Sequence, residues 1–525
     1  VQVEKLTNLM KNLKLFTLLL FFVLNAASVD AQKATNPLIF ADVPDLSMIR
    51  VGKVYYMSST TMHMNPGVPI MKSTDLVNWK IVSYAYDTLG NADELTLSNG
   101  KWDYGRGSWA SSLRFHQGIY YVSTFSGTTG KTYIYSTKDI EKGPWKLMSF
   151  KPSLHDHSLF FEDGKVYMVY GTGKITLVEL KEDLTGIKPD TKPITIIENA
   201  SLPTGTGAGL PAEGSQLFKI NGKYYLFNIT WPRNGMRTVV VHRSDKFMGP
   251  YEGRVALKDK GVAQGGLIST PKGKWFSYLF RDFGSVGRIP YLVPVTWEDG
   301  WPVLGVDGKV PETLELPVSS GLIPGIVASD EFTRQKGEPA LPLVWQWNHN
   351  PDHAFWSLTK RPGFLRISTS RLDTNILLAR NTLTQRTIGP VSTAITSIDI
   401  SNMKTGDQAG LMLLQRKFGW VGVKHTGSKK TVVTVSTQSG TVNGEDVPVG
   451  QQIIYLKARC DFENRTDKGY FFYSFDGKTW KPIGEPLQMS YTLPHFIGYR
   501  FGLFNYATEN TGGYVDFDYF RIEAK

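Results

Sequence analysis

Short stretches in which apolar and polar residues alternate, or in which β-branched and aromatic residues run together, recur along this chain between clusters of Gly, Asp, Asn and Pro. Very little of it has the 3.6-residue period of a helix, so the pattern predicts an all-β protein. Five stretches share one form, a turn followed by an aromatic strand: Gly52-Lys53-Val54-Tyr55-Tyr56, Gly118-Ile119-Tyr120-Tyr121, Gly164-Lys165-Val166-Tyr167, Gly222-Lys223-Tyr224-Tyr225 and Gly273-Lys274-Trp275-Phe276. The glycine supplies the positive φ of a tight hairpin turn. Counting back seven to nine residues from each glycine reaches Asp45, Ala110, Asp156, Glu213 and Gln264, and two residues further on stand Ser47, Ser112, Ser158, Ser215 and Gly266. Repeats of this kind close radially, so a five-bladed β-propeller is predicted, with equivalent positions of the innermost strands converging on its axis. Three of the five positions are acids.

The repeat stops near Asp299-Gly300-Trp301-Pro302, and a segment rich in Pro and Gly then runs to about Ile323 as a linker that wraps part of the first domain. From Asp330 the strands change character, with Phe364 to Thr369, Gly410 to Leu414, Lys430 to Thr437, Ile453 to Arg459, Tyr470 to Ser474, Phe501 to Tyr506 and Val515 to Phe520. They predict a two-sheet β-sandwich. The chain of 525 residues exceeds one ordinary core, and the division expected is a propeller over 32–323 and a sandwich over 324–525.

Ahead of these domains, residues 1–31 read as a signal peptide translated from Met10. A basic stretch, Met10-Lys11-Asn12-Leu13-Lys14, precedes the apolar run Leu15 to Leu24, and Val29-Asp30-Ala31 forms a small-x-small cleavage site. The run is too short for an ordinary membrane span, and no later segment is apolar enough for one. Cys460 is the only cysteine, so no intramolecular disulfide can form. A large exported chain without disulfides fits a bacterial periplasm. The net charge of +11 is spread along the whole chain with no basic stripe, which argues against nucleic acid as a partner.

Asp45, Asp156 and Glu213 around one channel offer what glycosidic hydrolysis requires: a group that protonates the leaving oxygen and a second that activates water or attacks the anomeric carbon. Crowding like charges separates their pKa values. Other chemistries are weaker. Asp156, His157 and Ser158 are adjacent on a strand, face alternate sides and cannot form a nucleophilic triad. His155 and His157 are candidate metal ligands, with a hydrogen-bonded structural histidine the simpler reading. No phosphate loop, zinc motif or dinucleotide fingerprint is present, so no cofactor is required for the chemistry.

The chain resembles glycoside hydrolase family 43, in its two-domain β-xylosidase and α-L-arabinofuranosidase branch. The resemblance is carried by Asp42-Val43-Pro44-Asp45-Leu46-Ser47, Pro66-Gly67-Val68-Pro69-Ile70, Ser73-Thr74-Asp75-Leu76-Val77-Asn78-Trp79, Leu154-His155-Asp156-His157-Ser158, Pro211-Ala212-Glu213-Gly214 and Trp297-Glu298-Asp299-Gly300-Trp301-Pro302. It implies that Asp45 is the general base, Glu213 the general acid, and Asp156 the carboxylate that tunes the acid and orients the sugar, with inversion at the anomeric centre. It also implies that Arg288 is an active-site arginine, and Trp79 and Trp109 are candidate aromatics of the pocket wall. Gln264 stands where the family often has a histidine that helps hold a central water or calcium, and Leu46 where it often has Pro. Structural calcium is a further candidate, through Asp330 and Asp516 in the sandwich.

The reading placed first is an exo-acting inverting hydrolase that releases terminal α-L-arabinofuranose from hemicellulose side chains or oligosaccharides. A β-D-xylosidase or a dual enzyme is the alternative. A non-catalytic carbohydrate-binding protein is the third reading, disfavoured by the presence of all three acids.

Overall fold

The computed structural model describes residues 33–205, 207–335 and 341–525, so the predicted signal peptide at 1–31 lies outside the described residues. Gly52, Gly118, Gly164, Gly222 and Gly273 have φ of 62°, 79°, 72°, 79° and 79°, as the hairpin turns demand. Each joins the first two strands of a four-stranded antiparallel sheet. The five innermost strands are Ser47–Val51, Ser112–His116, Ser158–Glu162, Ala208–Ile220 and Ala263–Ser269, each packed against the next and the fifth against the first. This is the five-bladed propeller.

The ring closes without a shared strand. Lys33–Thr35 pairs instead with Thr313–Pro317, so the Pro-rich linker returns to the start of the chain. The segment that follows lies along the fifth blade: Asn36 Nδ2 donates to the carbonyls of Leu292 and Pro311, both at 2.9 Å, and Val43 N donates to Arg288 O at 3.0 Å.

The recurring serines have a physical role. Ser47, Ser112 and Ser158 Oγ each accept a backbone N–H from a neighbouring inner strand, of Leu113, Leu159 and Leu217 respectively, all at 3.1 Å. These buried bonds lock adjacent blades in register around the channel.

In the fourth blade the structure shifts the frame read from the sequence by one residue. The equivalent of Ser47 and Ser158 there is Gln216, opposite Phe227, and not Ser215. Asp45, Asp156 and Gln264 take left-handed φ of 51°, 47° and 54°, and the fourth-blade residue in that conformation is Gly214 at 68°. Glu213 precedes this slot. The cause is a bulge, where the pairing with Lys223–Pro232 shifts between Glu213 and Gln216. Ser215 happens to mimic the repeat.

The C-terminal part forms the predicted sandwich of two antiparallel sheets. One sheet orders the strands 440–446, 429–436, 419–426, 407–414, 500–507, 383–386 and 346–348, and ends on Met64–Asn65, contributed by the first blade. The other carries 356–357, 365–368, 514–524, 391–399, 453–461, 468–474 and 481–482. Buried residues of both parts, such as Ala41, Val286, Ile388 and Phe501, belong to one continuous apolar core. Among the described residues no helix is long and apolar enough to cross a membrane.

The serine bonds allow a direct test. Ser112→Ala leaves the buried Leu159 N–H without its acceptor and is expected to cost about 1–3 kcal/mol of stability, read as a lowered thermal midpoint. An unchanged midpoint would mean that these hydroxyls do not lock the blades.

Candidate active site

Asp45, Ala110, Asp156, Gly214 and Gln264 line the mouth of a narrow axial channel. In four of the five blades a left-handed residue turns the inner strand into this mouth, a conformation that Asp, as at Asp45 and Asp156, tolerates better than most residues. Asp45 and Asp156 are 7% and 5% exposed. The bulge leaves Glu213 more open, with a side chain 19% exposed.

Asp45 is held by Arg288, whose Nη1 lies 2.8 and 2.9 Å from the two carboxylate oxygens. Burial pushes the Asp45 carboxyl up from its ordinary pKa, and the Arg288 guanidinium opposes that rise. Arg288 is positioned in turn by Asp42, whose Oδ1 accepts its backbone N–H at 2.7 Å. Gly287 must be glycine here, because its φ is 106° and a Cβ would stand 2.2 Å from that oxygen.

Asp156 is pushed up to about 7, first by burial and then by the neighbouring charges of Glu213 and Asp45, with His155 acting against the shift. His155 was weighed from the sequence only as a metal ligand or a structural residue. The structure places its Nε2 3.0 Å from Glu213 Oε2 and 3.8 Å from Asp156 Oδ2. Burial opposes protonation of His155, but the Glu213 hydrogen bond and the surrounding carboxylates outweigh it and raise its pKa. Thr172 Oγ1 donates to the same Glu213 oxygen at 3.3 Å. His155, Asp156 and Glu213 bring their polar atoms within 4.8 Å of one another.

His157 faces away. Its Nδ1 donates to Leu154 O at 2.9 Å and its Nε2 lies 2.8 Å from Ser123 Oγ, while burial pulls its pKa down to about 4. It is a neutral structural histidine.

Trp109 is at the site: its ring stacks on Phe496 at 5.4 Å and lies 6.5 Å from His155. Phe496 comes from the sandwich, and its carbonyl accepts from Arg288 Nη2 at 3.3 Å while Arg288 packs over its ring at 4.5 Å. Phe496 itself was not singled out from the sequence, since nothing in its local sequence marks it. Trp231, 44% exposed, stands two residues beyond Ile229, the cross-strand partner of Glu213. Arg237 packs against the Trp231 ring and its charge reaches Asp45. Gln264 presses its amide against Gly214, where a Cβ would meet it at 2.9 Å.

Three expectations are corrected. Trp79 is no pocket wall; it is 4% exposed in the apolar core, and its Nε1 donates to Leu76 O at 2.8 Å. Asp330 and Asp516 do not fit calcium. Asp330 accepts from Arg334 at 2.8 and 2.6 Å and from Trp345 Nε1 at 2.9 Å, whereas Asp516 accepts from Arg366 at 2.7 and 2.8 Å and from Arg361 at 3.2 Å. Guanidinium groups already occupy the oxygens that a cation would need.

Known proteins match both parts of the chain. Residues 34–302 match the model described as glycosyl hydrolases family 43, and residues 329–523 match the β-xylosidase C-terminal concanavalin A-like domain. A β-xylosidase of Formosa agariphila is 29% identical over 93% of this chain and 90% of its own length. A non-reducing end α-L-arabinofuranosidase of Bacteroides ovatus is 29% identical over 68% of this chain and 69% of its own. The solved structure of a bifunctional GH43-CE protein of Bacteroides eggerthii is 65% identical, with a TM-score of 0.92 over 94% of this chain; this chain spans 64% of that protein's length.

The raised Asp156 pKa predicts a pH dependence of stability. Between pH 3.8 and about 7 the folded chain retains a proton that the unfolded chain has lost, so stability falls as pH rises through that window, by up to about 1.4 kcal/mol per unit. Asp156→Asn is expected to remove this component of the slope in urea unfolding at pH 5, 6 and 7. An identical slope in the variant would refute the assignment.

Proposed function

The chain belongs to glycoside hydrolase family 43, acting on hemicellulose-type sugars, and from that premise we propose that it removes one terminal pentose per encounter by an inverting displacement. The observation that carries this reading is the chemical inequality of three neighbouring carboxylates. Asp45 is locked on Arg288, Asp156 is buried and raised to about 7, and Glu213 stands more open beside His155.

Asp45 acts as the general base. It takes a proton from water as the water oxygen bonds to the anomeric carbon, and Arg288 favours the ionised form that this step needs. Glu213 gives its proton to the glycosidic oxygen as the bond from that oxygen to the anomeric carbon breaks. Asp156, whose carboxyl burial raises to about 7, lies in one cluster with Glu213 and His155, where it can hydrogen-bond a sugar hydroxyl and orient the ring. His155 and Thr172 orient the Glu213 carboxyl through its Oε2. Trp109 and Phe496 supply an apolar wall against which a sugar face can pack.

We place β-D-xylose ahead of α-L-arabinofuranose, the reverse of the order expected from the sequence, with dual activity as the intermediate case. Support comes from relatives: the Formosa agariphila protein, which matches 93% of this chain, bears the name β-xylosidase, and the relative named for arabinofuranose matches 68%. Export to the periplasm is part of the same proposal and rests on the basic and apolar pattern of residues 10–31.

Two measurements test the assignment. Glu213→Gln is expected to slow hydrolysis of xylobiose by about 100-fold or more, with a smaller loss on aryl glycosides whose leaving group departs without a proton; equal losses on both would remove Glu213 from the role of acid. For the wild-type protein, kcat/KM on an aryl β-D-xyloside is expected to exceed that on the α-L-arabinofuranoside, with the inverted anomer seen first by NMR. A preference for the arabinofuranoside would restore the other order.

A further inference from the structure

Arg386 and Arg500 face each other across the strands Leu383–Arg386 and Arg500–Ala507, where their Cα positions are direct antiparallel partners. Side chains so placed share one face of the sheet, and like charges there repel. Both residues are buried, at 1% and 2% exposure. Arg386 Nε donates to the backbone carbonyl of Asp42 at 2.9 Å. Arg386 Nη1 and Nη2 and Arg500 Nη1 have no hydrogen-bond partner among the described residues.

Three other arginines of this protein are neutralised by contact. Arg288 meets Asp45 at 2.8 Å, Arg334 meets Asp330 at 2.6 Å and Arg366 meets Asp516 at 2.7 Å. No carboxylate touches Arg386 or Arg500 among the described residues. Asp42 is the acid whose charge reaches both, and its Oδ1 is already taken by Arg288 N at 2.7 Å. Tyr84 lies against Arg386, close enough for its phenol oxygen to meet the guanidinium as a neutral acceptor; its hydroxyl donates to Leu343 O at 2.6 Å and burial pushes its pKa up to about 12, so it brings no charge. Burial and the facing Arg386 lower the Arg500 pKa to about 9, which leaves the group cationic at neutral pH.

Two cations and one carboxylate therefore share a buried space, with one positive charge in excess and unpartnered N–H groups of both guanidiniums enclosed with it. Unpaired charge and unmade donors are each costly away from water. Water molecules would meet the second cost and leave the first. We propose that Arg386 and Arg500 hold a small monovalent anion of halide size at the seam between propeller and sandwich. Such an ion balances the charge and accepts from buried N–H groups of both guanidiniums. It also stabilises the contact to Asp42, the residue that positions Arg288.

Bromide and chloride are the probes. In crystals of the full chain grown in sodium bromide, an anomalous peak is expected between the two guanidiniums. In solution, protein dialysed into sodium gluconate and returned to chloride at constant ionic strength should gain about 2–4 °C in thermal midpoint, with saturation. Arg500→Met should lose this response, and Arg386→Met serves as the second variant if the first fails to fold. A bromide map without that peak together with a midpoint indifferent to chloride would overturn the proposal in favour of water. An equal chloride response in a folded Met variant would also overturn it, as a general salt effect.

Discussion

One guanidinium joins the three parts of this molecule that have to agree. Arg288 begins the third strand of the fifth blade, its Nη1 holds Asp45 at the head of the first blade, and its Nη2 meets the carbonyl of Phe496 from the sandwich. The propeller closes where the fifth blade meets the first, so this ion pair lies across the closure. Removing one member of a buried pair leaves the other uncompensated at a cost of about 3–5 kcal/mol. The same arginine therefore ties the ring together and opposes the rise that burial gives the acid at its mouth. Asp42 and Gly287 serve that arrangement, the first by accepting the Arg288 N–H and the second by having no side chain to obstruct it.

Around that fixed point the carboxylates are kept unlike. Three acids at one level of a symmetric ring would have similar surroundings and titrate as a coupled set. A one-residue bulge breaks the symmetry by giving the axial slot to Gly214 and moving Glu213 outward, toward His155 and Thr172. Exposure follows: the two aspartates are nearly closed off while the glutamate keeps a path to a leaving group. A group that must reach the oxygen of a bulky leaving group benefits from that path, and a group that need meet only a water does not.

Much of this was readable from residue order, and the failures share a cause. Hairpin glycines announce themselves because their φ is forbidden to most residues, and the recurring serines stand out because three successive blades make the same inter-blade bond. The frame broke at Ser215 because a bulge inserts a residue without changing composition, and a serine stood where the repeat led one to look. Trp79 was misplaced because an indole that fills a blade and one that faces a sugar look alike in sequence; only its buried N–H bond to Leu76 O tells them apart. Asp330 and Asp516 looked free to bind a cation because their arginine partners, other than the nearby Arg334, lie far along the chain. His155 needed the fold as well, since its partner Glu213 is on the next blade.

The position of Phe496 bears on what the sandwich does. Its φ of 52° is unfavourable for an aromatic residue, and the surrounding contacts hold it: Trp109 stacks on one side, Arg288 packs over the ring, and the neighbouring His495 stacks on Tyr104 at 4.1 Å. In return the first blade lends Met64–Asn65 to the edge of a sandwich sheet. Exchange of elements in both directions interlocks the two parts in the region of the site. A tethered module whose task is to find polymer needs freedom to move relative to the catalytic ring, and this one has surrendered it. Its sequence divergence from the propeller is therefore no guide to independence: the wall it contributes is as much a part of the pocket as the strand ends that carry the acids.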